Sequence, residues 1–404
     1  MKPVNYFVIL RHAILRHAIL RHMQKRQKHN NPFKYGSVVD KEAFCNRNEE
    51  IVQLKSYISN SHSVWLYSPR RYGKTSLIKK VFNDINDVKT IYVDLYNVRN
   101  TDDFCKRYAK LIADELFDWK DSVKRLSEQF MKSFKGLKPS MVFDEKGNPS
   151  FSLQIDKIEK QADVGTILEI PNEVGKKNGQ KICIAFDEFQ ETKRIDPFLI
   201  NWMRSAFQFH KNISYIFLGS KQSLMESIFS SYNSPFYEFG VKMKISPIKK
   251  EELADFIRAR FKSQQINIEE VVVDKILEIS EGHPHYTQFF ASEVFYLILA
   301  GNNQANENFN DLWLTRAING QSDIFQNIYD QLSNLQRIVL QTLAIKDKDE
   351  ELYSSKSREK YGLPVSSSLN TTLNGLIQKD IITKSGKHYN LVNPIFREWL
   401  KTLN

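Results

Sequence analysis

Short apolar runs alternate with longer amphipathic stretches through the first 250 residues. The runs "SVWLY" (63–67), "TIYVDLY" (90–96), "KICIAFDEF" (181–189), "ISYIFLGS" (213–220) and "VKMKIS" (241–246) are rich in β-branched and aromatic residues. Each is too short for a buried helix and reads as a strand. Between them lie segments with apolar residues three and four apart: "SLIKKVFNDI" (76–85), 101–119 with Thr101 at its start, 163–177 and 195–209. Strands separated by helices predict a parallel sheet covered on both faces. Residues 120–160 break the alternation, and a Gly-Asn-Pro turn in "FDEKGNPSFSLQI" predicts an inserted hairpin.

After Pro247 the strand pattern stops. Four segments with helical period, beginning at "KKEELADFIRARF", predict a helical subdomain over 248–330. From 331 the pattern predicts helices at 334–345, 365–379 and 394–403, with a Ser-Gly turn in "DIITKSGKHYNLV" before the last. Helices followed by a two-strand wing describe a winged helix over 331–404. The expected organisation is therefore a basic extension (1–30), an α/β domain (31–247), a helical lid (248–330) and a winged helix. The extension carries "RHAILRHAILRH" (11–22), whose five-residue period spreads its arginines around a helix instead of building one face. It reads as a disordered arm, or as an early start with Met23 the true one; a basic arm for nucleic acid or anionic lipid is the alternative.

Charge changes this picture little. The formal net charge is +11, but seven cations and no acids fall in the first 30 residues, leaving +4 over the rest. The body is nearly balanced and does not by itself point to nucleic acid. Three cysteines (Cys45, Cys105, Cys183) fit neither a disulfide framework nor a metal site, which makes a reducing cytoplasm the expected setting. No apolar run approaches the ~20 residues of a membrane span.

The candidate chemistry sits at the ends of the strands. "YSPRRYGKTSL" (67–77) follows the first strand and opens a helix, the context of a phosphate-binding loop. Its residues Ser68, Pro69, Arg70, Arg71, Tyr72, Gly73, Lys74, Thr75 and Ser76 are the expected nucleotide contacts. Gly73 would turn the backbone so that N–H groups face phosphates at a helix N-terminus. Lys74 would bridge β- and γ-phosphate oxygens, and the Thr75 hydroxyl would hold Mg²⁺. Ser68 stands where the usual pattern has glycine; its Cβ is tolerated unless that position takes positive φ. Asp187 and Glu188 end a buried strand, which is costly unless a cation or a function needs them there. Asp187 is the expected Mg²⁺ partner and Glu188 the residue that orients attacking water. Ser220, at the mouth of the next strand, is a candidate γ-phosphate sensor, and Arg204 a candidate arginine finger toward a neighbouring subunit. In "EGHPHYTQ" (281–288), the break at His283 and Pro284 frees N–H groups that could approach the nucleotide. His283 with His285 resembles a metal pair, but no third ligand lies near.

Together, "SPRRYGKTSL", "IAFDEFQE", "FLGS" and "EGHP" resemble the archaeal-type ATPase family, a branch of the AAA+/STAND P-loop NTPases. Phe44, Arg47 and Glu50 fall where such proteins carry a lead-in that packs beside adenine. The resemblance implies ATP and Mg²⁺, a sheet of order 5-1-4-3-2, a helical lid and a C-terminal winged helix. It leaves the cellular role open. The expected activity is Mg²⁺-dependent ATP hydrolysis driving a conformational switch or motor, with a homo-oligomer as one form it could take. The alternative is a DNA-binding regulator with ATP as ligand, in which 365–379 is the recognition helix. The cations there are sparse (Lys379, Lys384, Lys387), so the winged helix could equally take a protein partner.

Overall fold

The computed structural model describes residues 30–39, 43–116, 137–143, 149–155, 161–301, 307–347 and 350–403. The pentapeptide repeat and the Gly-Asn of the hairpin turn lie outside these residues.

The strands are β1 (Val64–Tyr67), β2 (Val88–Asp94), β3 (Leu137–Phe143), β4 (Pro149–Ile155), β5 (Lys181–Asp187), β6 (Ile213–Gly219) and β7 (Val241–Lys244). Five of them form a parallel sheet in the order β2-β5-β6-β1-β7. Numbered without β3 and β4, that is the expected 5-1-4-3-2 read from the other edge. β3 and β4 pair antiparallel as a separate two-stranded sheet. Every residue of β1 and β6 is buried, as befits central parallel strands with helices on both faces. Their side chains divide by alternation. Trp65, Tyr67, Phe186 and Phe217 join one aromatic-rich core, while Leu66, Cys183, Ala185 and Leu218 join the other with the helix Lys74–Asp84.

Two elements differ from the sequence expectation for local reasons. β2 lies two residues earlier than "TIYVDLY", because at the sheet edge Lys89 can pair with Ile182 while its side chain stays in solvent. The helix expected over 195–209 is the shorter Leu199–Phe207, preceded across a break by a 3₁₀ turn (Phe189–Glu191) and a short helix Thr192–Ile195. Pro197 accounts for the break, since the residue before a proline is driven to extended backbone, and Asp196 has φ −160° and ψ 133°.

Helices Lys250–Ser263, Glu270–Ser280, Pro284–Leu299, Glu307–Asn319 and Ser322–Asp330 follow. Then come Asn334–Ile345, Ser355–Tyr361, Ser366–Gln378, the antiparallel pair β8 (Ile382–Ser385) and β9 (His388–Leu391), and Pro394–Lys401. The change from sheet core to helical core falls between Ile245 and Ile248. Beyond it, one apolar cluster runs from Phe261 and Trp313 through Phe325 to Leu340, Leu369 and Trp399, so the lid and the winged helix share a core. The segment that precedes the lead-in joins that core as well. Phe33 is buried in it, and the Lys34 N–H donates to Gln288 Oε1 at 3.0 Å.

Candidate functional site

The carboxyl ends of β1, β5 and β6 meet at one edge of the sheet, the place where open α/β folds bind ligands. After β1 the chain turns through Ser68 and Pro69 into the helix that begins at Lys74. Arg71 (φ 65°) and Gly73 (φ 84°) take positive φ, and Ser68 does not. A Cβ at Gly73 would meet nothing within 4 Å, so glycine is required there for its backbone freedom alone. At Ser68, in contrast, an L side chain sits without strain, which answers the question its presence raised.

Lys74 is buried, and its ammonium donates to the Ser68 carbonyl (2.9 Å) and the Pro69 carbonyl (3.2 Å), not to a carboxylate. Burial pushes its pKa from 10.5 down to about 8, while Glu188 and Asp187 pull the other way. The Thr75 hydroxyl donates to Asp187 Oδ2 at 2.8 Å, closing a contact across 112 residues. The other Asp187 oxygen, Oδ1, accepts the Glu188 N–H at 2.9 Å. Tyr92, on β2, also donates its hydroxyl to Asp187 Oδ2 and approaches Thr75 Oγ1 at 3.4 Å.

Glu188 lies in the left-handed region (φ 51°, ψ 46°), where a non-glycine residue costs of order 1–3 kcal/mol and persists only if its surroundings hold it. Its Oε2 accepts from Ser220 Oγ at 2.8 Å and from the Gln190 amide. Ser220 is brought there by Gly219, whose place against Met225 and Gln190 leaves no room for a Cβ (2.3 and 2.8 Å). Ser220 and Glu188 thus meet at the ends of neighbouring strands.

The helical segment that follows β7 meets the loop through aromatic contact. His283 is buried, with its ring centroid 4.3 Å from that of Tyr72 and 4.5 Å from that of Tyr286. Burial, followed by His285 and Arg71, pushes its pKa to about 3, so it is neutral across the working pH range. Neither ring nitrogen reaches hydrogen-bond geometry with a partner among the described residues. Pro284 occupies the first turn of Pro284–Leu299, where its missing N–H costs nothing. The His283 and His285 rings lie 6.2 Å apart in an edge contact. Arg70 and Arg71 are exposed, and the charge of Arg71 opposes the rise that burial gives the Tyr286 hydroxyl pKa.

Three expected site residues are placed elsewhere. Arg204 donates to the Pro235 carbonyl (2.9 Å) and Gln208 Oε1 (2.8 Å) and stacks over Phe239, so its own chain occupies the guanidinium proposed as a finger. Arg47 donates to Glu50 (2.8 Å), the Ser246 carbonyl (2.7 Å) and the Tyr72 carbonyl (3.4 Å). It clamps the loop to the end of the sheet instead of offering a free face. Ser76 turns from the loop to accept the Val39 N–H at 3.1 Å. Sequence reading missed Tyr92 and Gln190. The first is one aromatic in an alternating strand with no distinguishing mark; the second was visible only as an amide two residues past Glu188.

On the far side, a cavity of about 560 Å³ separates Pro69, Arg70 and Ser220 from Thr383 and Lys384 of the winged helix. Ser366–Gln378 exposes Ser367, Asn370, Thr371 and Asn374. Lys379, Lys384 and Lys387 are exposed close by in sequence, at the helix end and on the wing. On the last helix, Arg397 donates to Glu281 Oε1 (2.7 Å) and to the Ile279 carbonyl (3.0 Å). Glu281 immediately precedes Gly282, His283 and Pro284.

A family model described as an ATPase domain predominantly from Archaea matches residues 44–288, more than half of the chain. A second, described as a probable winged helix domain, matches 323–402. Among solved structures, a Walker-type ATPase of Pyrococcus abyssi aligns with TM-score 0.61 and 18% identity, over 89% of this chain and 97% of that one. The ORC2 protein of Aeropyrum pernix, solved in ADPNP–ADP complexes, aligns with TM-score 0.51 and 14% identity, over 92% and 98% of the two chains. At these identities the likeness concerns the fold. No curated protein matches the chain. No helix among the described residues is long and apolar enough to cross a membrane.

Proposed function

The chain belongs to the family of ATPase domains found predominantly in Archaea, and from that premise we propose that it binds ATP with Mg²⁺, hydrolyses it, and passes the change to its winged helix. The observation that carries the reading is the Lys74–Thr75–Asp187–Glu188–Ser220 constellation, gathered from the ends of β1, β5 and β6.

The residues fit a magnesium–triphosphate. Thr75 and Asp187 are hard oxygen donors suited to Mg²⁺, which holds few protein ligands and keeps waters and phosphate oxygens for the rest. Lys74 has no carboxylate in its hydrogen-bond set and can turn from loop carbonyls to phosphate. The first-turn N–H groups of Lys74–Asp84 have no partner within the helix and suit an anion. When bound, magnesium neutralises charge on the β- and γ-phosphate oxygens. Asp187 and Thr75 would hold it, and Lys74 would stabilise the transferring group. Glu188 would accept the proton of an attacking water and orient it, its carboxylate aimed by Ser220 and Gln190. Tyr72 and His283 put the lid in ring contact with the phosphate loop, and Arg397 joins the lid to the last helix through Glu281. A ligand that favours one position of the lid thereby biases the winged helix.

The test separates binding from turnover. Lys74→Ala should lose nucleotide binding. Glu188→Gln should bind ATP as wild type does and lower turnover about 10²-fold or more, the range of a general-base contribution. Equal turnover by wild type and Glu188→Gln would remove the catalytic assignment.

A further inference from the structure

We infer that Tyr92 is a positioning residue that competes with magnesium for Asp187, holding the carboxylate in the metal-free protein and yielding it when the metal arrives. This rests on the nucleotide-site reading above and adds a residue that neither the motifs nor the family resemblance supplied.

A carboxylate oxygen has about two lone-pair sites. Asp187 Oδ1 accepts the Glu188 N–H, and Oδ2 accepts both the Thr75 and the Tyr92 hydroxyls. Oδ2 is therefore full. A metal ion bound to it, or a metal-bound water donating to it, needs one of those places. Thr75 can offer its oxygen to the metal while its proton stays on Asp187, because a hydroxyl is donor and acceptor at once. Tyr92 also carries a hydroxyl, but it stands on the edge strand β2, outside the phosphate loop that would carry the metal, so it is the donor that leaves.

The position of Tyr92 fits this role. Its strand register pairs it with Ala185, which puts its ring on the same face of the sheet as Asp187, two residues further along β5. The pairing with β5 holds its backbone, the ring is half-buried with the Lys79 ammonium 5.5 Å from its centre, and the hydroxyl end donates to Asp187. Asp187 itself is buried, and a buried carboxylate without hydrogen-bond donors is costly. Tyr92 and Thr75 meet that need when no cation does.

The test is Tyr92→Phe, which keeps the ring and removes the hydroxyl. Mg²⁺ titrations of fluorescent-nucleotide binding should show the midpoint falling about fivefold, equivalent to a net hydrogen bond of ~1 kcal/mol. Thermal unfolding should show the variant less stable than wild type without metal, with the difference shrinking when Mg²⁺ and nucleotide are saturating. A tyrosine that merely packs would give the same loss of stability in both states and an unmoved midpoint, which overturns the inference. A higher Mg²⁺ requirement overturns it too, because Tyr92 would then assist the metal. Wild type binding nucleotide with no Mg²⁺ dependence would instead remove the metal reading on which the inference stands.

Discussion

Raising the pH should weaken nucleotide binding while it stabilises the empty protein, and both effects trace to Lys74. Burial lowers its pKa from 10.5 to about 8. Between those values the unfolded chain holds a proton that the folded chain has released, so stability rises with pH across the window. Below about 8 the full cost of burying the ammonium is present; the 2.5-unit depression corresponds to roughly 3 kcal/mol. Phosphate binding has the opposite requirement. If only the charged amine binds, affinity should fall about 25-fold between pH 7.5 and 9.5, as the protonated fraction drops from three-quarters to a few per cent. The assay is a fluorescent-ADP titration in EDTA, which keeps metal hydrolysis out of the profile. Lys74→Arg, charged at every pH used, should bind with an almost flat profile. A wild-type profile that changes less than twofold would refute the reasoning, as would the same slope in Lys74→Arg.

Other consequences follow from the loop and the lid. Ser68→Gly should leave nucleotide affinity within about twofold and stability within about 1 kcal/mol, since Ser68 needs no positive φ; a tenfold gain in affinity by equilibrium titration would mean that serine does impair the loop. The partly exposed Arg397–Glu281 pair should give a coupling of ~1 kcal/mol in a double-mutant cycle of alanine variants, read by urea unfolding. That coupling should change when nucleotide saturates the protein; equal values with and without nucleotide would reject a route through Glu281.

The parallel sheet was within reach of the sequence because each strand is a compact apolar run and the loop motif marks the first; its order came from the family resemblance. The loop's own chemistry was equally open, since Gly73, Lys74 and Thr75 are consecutive. Contacts made across distant parts of the chain were not. Nothing in "TIYVDLY" distinguishes the tyrosine that reaches Asp187, 95 residues on, from its neighbour at Tyr96, which is exposed. Arg397 and Glu281 are 116 residues apart, and only folding the lid and winged helix around one core brings them together. Arg204 is the opposite case. A helix before a sensor strand made it look free, yet the loop at Pro235 takes its guanidinium. The break at Pro197 was legible and was passed over in favour of a continuous apolar period.

The central claim is that Glu188 acts on water while Lys74, Thr75 and Asp187 hold the nucleotide. Its most direct test is the ratio of ADP formed to ATP bound by Glu188→Gln at saturating Mg²⁺ and ATP. The account predicts near-stoichiometric ATP retained with turnover reduced about 10²-fold or more. Turnover at the wild-type rate would contradict it, and so would loss of ATP binding in this variant.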